Sequence, residues 1–204
     1  MIYEKKGVDY DVYVFRQGRK VNNIRKRLLT SIPKRTRKFE RILKQSQSYL
    51  RPGKILCLGA RTGCEVQAAI NTGFKGSIGI DLHPAVSDSK LVRKGDWHNI
   101  PFLENSFENV FTNSIDHCFD VEKLANEVKR VLKPSGCFYF MLSGKQFLDT
   151  KKDVKEYMLK SSNYLFWSTE KDLIQKFEKF GFTLSQNWRM GRNWQNIIML
   201  NKGI

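Results

Sequence analysis

Histidine and cysteine are scarce in this chain, with three and four copies among 204 residues. No spacing of His, Asp, Glu or Cys matches a metal-ligand pattern, so no catalytic or structural metal is expected. Cys57, Cys64, Cys118 and Cys137 form no CxxC pair. That excludes a dithiol redox motif and suggests buried free thiols in a reducing compartment. No stretch approaches the ~18 consecutive apolar residues of a membrane span, and no apolar signal region opens the sequence. A cytoplasmic chain without a span is the expectation. Internal repeats and low-complexity tracts are also missing.

Positive charge, by contrast, is abundant and unevenly placed. The formal net charge is +16. Residues 1–50 hold 14 Lys and Arg against Glu4, Asp9, Asp11 and Glu40, a net +10, which leaves +6 for the other 154 residues. Such a block attracts RNA or another polyanion, or else forms a solvated helix face; charge speaks to association and not to chemistry.

Two regions are expected. Residues 1–50 read as a basic extension. Val8, Tyr10, Val12 and Val14 alternate as in a short strand ending near Gln17-Gly18. A helical pattern follows from about Asn22, is interrupted by Pro33, and resumes with Phe39, Ile42, Leu43 and Leu50 on one stripe. Residues 51–204 alternate strand and helix, which predicts an α/β fold: a doubly wound, mostly parallel, seven-stranded sheet with an antiparallel last strand and helices on both faces. The expected strands are 54–58, 77–80, 91–93, 109–112 and 137–142, with 182–184 and 197–200 as the final antiparallel pair. Asp120 is the expected N-cap of one helix, and Thr169 with Asp172 the capping box of another.

The loop Gly59-Ala60-Arg61-Thr62-Gly63 joins the first of these strands to its helix, where a sharp turn and close ligand approach favour glycine. Asp81 ends the next strand, 18 residues beyond Gly63, where a carboxylate accepts from both hydroxyls of a ribose. The dinucleotide fingerprint G-x-G-x-x-G is absent, which favours a nucleoside cofactor without a pyrophosphate.

Five segments then resemble, in order, the motifs of class I (Rossmann-like) S-adenosylmethionine-dependent methyltransferases of the type 11 kind. They are Lys54–Gly63 (KILCLGARTG), Gly79–Pro84 (GIDLHP), Gly95–Phe102 (GDWHNIPF), Ser106–Asn113 (SFENVFTN) and Glu127–Gly136 (EVKRVLKPSG). The resemblance implies S-adenosylmethionine as cofactor, with Gly59 and Gly63 lining its methionine end, Arg61 on the methionine carboxylate or in solvent, and Ala60 and Asn113 also among the cofactor-binding residues. It implies Asp81 on the ribose, Leu82 against the adenine, Asp96 accepting from the adenine amino group, and a backbone contact from Trp97. The chain departs from the family pattern at Cys57, where an acid is usual, and at Arg61, where a second glycine is usual. Another group or a water must then position the methionine ammonium.

The chemistry so implied is methyl transfer to an acceptor aligned for in-line attack. Ligands of such sheets lie beyond the carboxyl ends of the strands, so Asn113-Ser-Ile-Asp-His117 is where a base would stand. His117 is the first choice for a base or acceptor contact and Asp116 the second. Neither an Asn-Pro-Pro-Tyr/Phe motif nor a Cys-Pro pair is present, so base-amino and covalent C5 methylation by those routes are not indicated. An anionic acceptor such as RNA is preferred, with a small molecule or sugar as alternative. A non-catalytic nucleic-acid-binding module on a degenerate methyltransferase fold is a further one. Residues 1–50 and 143–168, the latter ending in Tyr164, Phe166 and Trp167, are the expected lid and acceptor surface.

Overall fold

The computed structural model describes residues 1–5, 7–86, 90–143, 158, 161, 163–191 and 194–203. Most of residues 143–168, read above as part of a lid, fall outside that set. The described part opens with strand β1 (Ile2–Glu4) and helices α1 (Tyr10–Thr30) and α2 (Ile32–Ser46). Strand β2 (Ile55–Leu58), helix α3 (Cys64–Asn71), β3 (Ile78–Asp81), β4 (Val92–Lys94) and β5 (Phe107–Thr112) follow. Then come α4 (Val121–Val131), β6 (Leu132–Ser143), β7 (Leu165–Trp167), α5 (Glu170–Glu178), β8 (Phe182–Met190) and β9 (Trp194–Asn201).

Seven strands make one sheet in the order β4-β3-β2-β5-β6-β9-β8. The first five run parallel, and β9 is antiparallel to both β6 and β8. The expected α/β sheet is therefore present. The parallel strands are apolar on both sides because both sides are covered. Leu56, Leu58, Val110, Phe138 and Phe140 pack against α4 and α5. Their neighbours Ile55, Cys57, Phe111, Tyr139 and Met141 face α2 and α3. The stripe of Phe39, Ile42 and Leu43 on α2 joins this second layer. Asp120 caps α4 by accepting from the Lys123 backbone N–H, and the Thr169/Asp172 capping box opens α5. All four cysteines are buried and free. Among the described residues, no helix is long and apolar enough to cross a membrane.

The N-terminal segment departs from expectation. The stretch read as a strand from Val8 to about Gly18 is the start of a 21-residue helix, capped by the Asp9 side chain on the Asp11 N–H. The alternation of valine and tyrosine suggested a strand, but burial follows Tyr13, Gln17, Val21 and Leu28, with Ile24 packed beside them. That is the i, i+4, i+8 spacing of one helix face, hidden because one of its members is a glutamine. Pro33 does not interrupt a helix; it lies in the first turn of α2, where its missing N–H costs nothing. The strand in this segment is β1, which pairs antiparallel with β7 as a separate two-stranded ribbon.

Unlike α2, α1 packs outside the two main layers: Val21, Leu28 and Ile24 meet Ala85 in a small cluster of their own, and the rings of Tyr10 and Tyr13 meet Phe119 and Tyr164. Phe39→Ala is expected to cost ~3–5 kcal/mol in urea denaturation, the price of an emptied core position. Phe15→Ala, at a side chain 64% exposed on α1, is expected to stay within ~0.5 kcal/mol of wild type.

Candidate functional site

The chain visits β2, β3 and β4 outward on one side of the sheet and then returns to β5 on the other. The crevice of such a fold opens between β2 and β5, beyond their carboxyl ends. Leu58 and Thr112 are paired in register there, so the loops that follow leave the sheet side by side. Gly59 has φ 68°, and a Cβ on it would stand 3.3 Å from the Ser114 Cβ and 3.4 Å from the Trp97 ring. Glycine is thus needed both for the left-handed turn and for the close approach. Arg61 also takes a positive φ, 34°, which a side chain tolerates only when its surroundings hold it.

What holds it is Asp81. One carboxylate oxygen accepts the Arg61 backbone N–H at 3.1 Å, and the other accepts that of His83 at 2.8 Å. The Arg61 guanidinium Nε lies 4.0 Å from the same carboxylate. Burial pushes the Asp81 carboxyl above its usual range, against the pull of Arg61 and the two amides. A carboxylate offers about four lone pairs, so two remain for a ligand.

A cavity is enclosed at this point by Gly59, Arg61, Asp81, Leu82, Trp97 and His117, with Ile80, Gly95 and Ser114 between them. Its remaining wall is α1, through Tyr13 and Gln17. The helix lies close down: the enclosed space is about 40 Å³, against the ~300–1,000 Å³ of a pocket that engulfs a small ligand. Three contacts hold it there. The Tyr10 hydroxyl donates to Asp96 Oδ2 at 2.5 Å, the Tyr13 hydroxyl donates to the His117 carbonyl at 3.0 Å, and the His83 ring nitrogen Nε2 lies 2.9 Å from the Val14 carbonyl. Asp96 Oδ1 accepts the His98 backbone N–H at 2.9 Å, with His98 Nδ1 at 3.0 Å. Although burial works against it, these hydrogen bonds from His98 and Tyr10 hold the Asp96 carboxyl below its usual range. Burial, the hydrogen bond to Asp96 and its charge together raise the Tyr10 phenol far above its ordinary value.

The other expected residues are less uniformly placed. Ala60 and Gly63 do not line the cavity; Ala60 is buried with its N–H on the Ile80 carbonyl, and Gly63 is the N-cap of α3. Asn113 stands one residue back from the wall, accepting from the Ser114 hydroxyl and reaching Glu65 Oε1 at 3.5 Å. His117 lines the cavity and lies 3.4 Å from the Lys20 ammonium. Asp116 is not in the wall; its carbonyl accepts the Tyr164 N–H. The sequence reading missed Tyr10, Tyr13 and Gln17, whose helical spacing was the available signal. It also missed Glu65, in the first turn of α3, which is 2% exposed and bonded by the Arg35 guanidinium at 3.0 Å. Its second oxygen is buried without a partner among the described residues, as is Nε1 of Trp97. Burial raises the Glu65 carboxyl despite Arg35, and its charge also reaches Cys57 and Asp81.

A Tyr10→Phe substitution is expected to lower stability by about 1.5 kcal/mol at neutral pH, as for a hydrogen bond to a charged group. Because the folded-state Asp96 carboxyl is depressed, that contribution is present above its unfolded value and disappears as pH falls through the folded one. Urea denaturation of both proteins at neutral and strongly acidic pH measures the difference.

Residues 56–140 match the family model described as a methyltransferase domain. Phosphoethanolamine N-methyltransferase 2 of Caenorhabditis elegans is 28% identical over 103 residues, which are 50% of this chain and 23% of that protein. Malonyl-[acyl-carrier protein] O-methyltransferase of Halorhodospira halophila is 28% identical over 110 residues, 48% of this chain and 37% of that protein. The chain thus spans well under half the length of either relative. Phosphoethanolamine N-methyltransferase 2 of Haemonchus contortus, solved with phosphomonomethylethanolamine and S-adenosylhomocysteine, superposes with a TM-score of 0.64. The overlap covers 82% of this chain and 53% of that one at 18% identity, and it speaks to fold alone. The match over residues 56–140, the five ordered segments and a sheet reversing between β2 and β5 make the chain similar to the class I S-adenosylmethionine-dependent methyltransferases.

Proposed function

We propose that the chain transfers a methyl group from S-adenosylmethionine to an anionic acceptor bound at the mouth of the cavity. The observation that carries this reading is the convergence of Gly59, Asp81, Leu82 and Trp97 on one cavity at the carboxyl ends of β2 and β3. The residues fit the cofactor chemically. Asp81 has lone pairs to spare for two ribose hydroxyls, Leu82 offers an apolar side to the adenine, and Asp96 is the carboxylate for its amino group. Trp97 contributes beside Asp96. Gly59 and Arg61 are proposed to face the methionine end, with Arg61 as the cation for its carboxylate, and Ala60, Gly63 and Asn113 to back them.

Glu65 is the acid we assign to the methionine ammonium. Its charge reaches Cys57, the position at which the family pattern has a carboxylate, and one of its oxygens is buried without a partner among the described residues. When bound, the cofactor supplies a methyl group on a sulfonium sulfur, and that positive charge activates it. The protein's task is alignment and exclusion of water, and α1 is the element that excludes water, through Tyr13 and Gln17. His117 is proposed to orient the acceptor or take its proton, and Asp116 to support it. Seating the cofactor in a cavity of about 40 Å³ requires α1 to shift outward.

For the acceptor, the +10 of residues 1–50 supports RNA as first choice. A small molecule is the second reading, supported by how tightly α1 closes the cavity. Residues 1–50 are proposed to form the acceptor-facing part of a chain whose catalytic part is 51–204.

Isothermal titration with S-adenosylmethionine tests the reading. Binding is expected, and Asp81→Ala is expected to weaken it roughly 100-fold, the loss of two hydrogen bonds to a charged group. No binding by the wild type at millimolar cofactor would sink it. Because the Asp81 carboxyl is raised and must be ionised to accept both hydroxyls, affinity is expected to fall on acidification from a pH above the ordinary aspartate value of ~3.9. Asp81→Asn is expected to remove that dependence.

A further inference from the structure

Beside the cavity lies a second opening, and it is strongly cationic. A groove of about 470 Å³ runs between the end of β1, the exposed side of α1, and the chain at Ser161 and Tyr164. Lys5, Arg16, Arg19 and Lys20 all line it, and no described lining residue is acidic. The four cations come from two separate segments, so the cluster is made by the fold. Tyr164 supplies the floor: its ring lies 5.5 Å below the Lys5 ammonium, which also donates to the Ser161 carbonyl at 3.2 Å.

The cations crowd one another. Burial and the charge of Arg16 lower the Lys5 ammonium, and burial and the charge of Arg61 lower that of Lys20, with Asp116 as the opposing charge on Lys20. An anion in the groove relieves that repulsion. Arg16 and Arg19 are exposed, so their guanidinium forks, which match phosphate oxygens in pairs, are accessible from solvent.

The groove and the cavity are continuous. Gln17 lines both, and Lys20 Nζ in the groove stands 3.4 Å from His117 Nε2 in the cavity wall. From Arg16 to Ile24 the groove follows nine residues of helix, ~12 Å, room for one or two phosphates and not for an extended polymer. The other basic residues of the segment, among them Lys34, Arg37 and Arg41, are exposed on α2 and lie outside it.

We infer that this groove binds a phosphate group of the methyl acceptor, so that the atom to be methylated reaches past Lys20 to His117. The inference rests on the methyltransferase reading above for the word acceptor, and on the groove itself for the phosphate. The same chemistry is offered by a small phosphorylated metabolite and by a terminal phosphate of RNA.

The test is calorimetric titration of the full chain, saturated with S-adenosylhomocysteine, using pyrophosphate as probe. Wild type is expected to bind it. Arg16→Gln/Arg19→Gln is expected to weaken binding at least ~tenfold, as when charged hydrogen bonds are lost. Lys34→Gln/Arg37→Gln, which removes the same net charge from α2, is expected to leave it within ~twofold, because exposed distant charges are screened. Both variants should keep the wild-type melting temperature and the wild-type affinity for S-adenosylhomocysteine. No pyrophosphate binding by wild type, or equal loss in the two charge-matched variants, overturns the groove. Failure to bind S-adenosylhomocysteine overturns the methyltransferase reading instead, and pyrophosphate binding is then read without it. Repeating the titration with a 5′-phosphorylated oligoribonucleotide and its unphosphorylated twin separates the sources. A gain of affinity from the 5′-phosphate that Arg16→Gln/Arg19→Gln abolishes identifies RNA, and pyrophosphate binding without such a gain identifies a small acceptor.

Discussion

Asp81 joins the two loops that follow β2 and β3, which the Ala85 N–H on the Arg61 carbonyl also ties together at 2.8 Å. Its carboxylate takes the Arg61 N–H from the turn after β2 and the His83 N–H from the turn after β3. Both turns are thereby pinned to the end of one strand, and the rest of the cavity is placed relative to it. Arg61 keeps a left-handed backbone because its amide is held. His83 is held where its ring meets the Val14 carbonyl on α1. A buried carboxylate is costly unless it is well bonded, and here the bonds that offset that cost also set the geometry of the site.

The cover over the site is held by mixed contacts. α2 is fixed to the sheet by Phe39, Ile42 and Leu43, packed among residues of β2, β5 and β6. α1 is fixed by hydrogen-bonding contacts at Tyr10, Tyr13 and Val14, by the rings of Tyr10 and Tyr13 on Phe119 and Tyr164, and by a small apolar cluster at its far end. Hydrogen bonds of this kind are each worth about 1 kcal/mol net, because water offers replacements. The division of labour suits a chain whose permanent scaffold is the sheet and whose adjustable wall is a helix.

Much of this arrangement was legible in the residues, and the parts that were not share a cause. Strands β2, β3, β5 and β6 show as apolar runs because both faces of a parallel sheet are buried, and Asp120 and Thr169/Asp172 announce their helices by capping chemistry. α1 was missed because its buried face includes Gln17, so the apolar pattern seemed to alternate at Val8, Tyr10, Val12 and Val14. Glu65 was missed because an acid in the first turn of a helix normally serves the helix dipole at the surface. Only three-dimensional packing beneath α2 shows that it is buried. Of the expected cavity residues, Gly59, Asp81 and Trp97 could be found because glycine, a strand-end acid and an aromatic each leave a local signature. Tyr10, Tyr13 and Gln17 carry only their helical spacing, since their role comes from a helix crossing the site from far away in sequence.

One consequence of Gln17 remains. The same turn of α1 walls the cavity on one side and the basic groove on the other, so the two compartments share a partition and cannot open independently. Linkage makes any dependence mutual: an occupant of one compartment changes affinity in the other by the same factor as the reverse. What passes between them passes through the position of a single turn of helix.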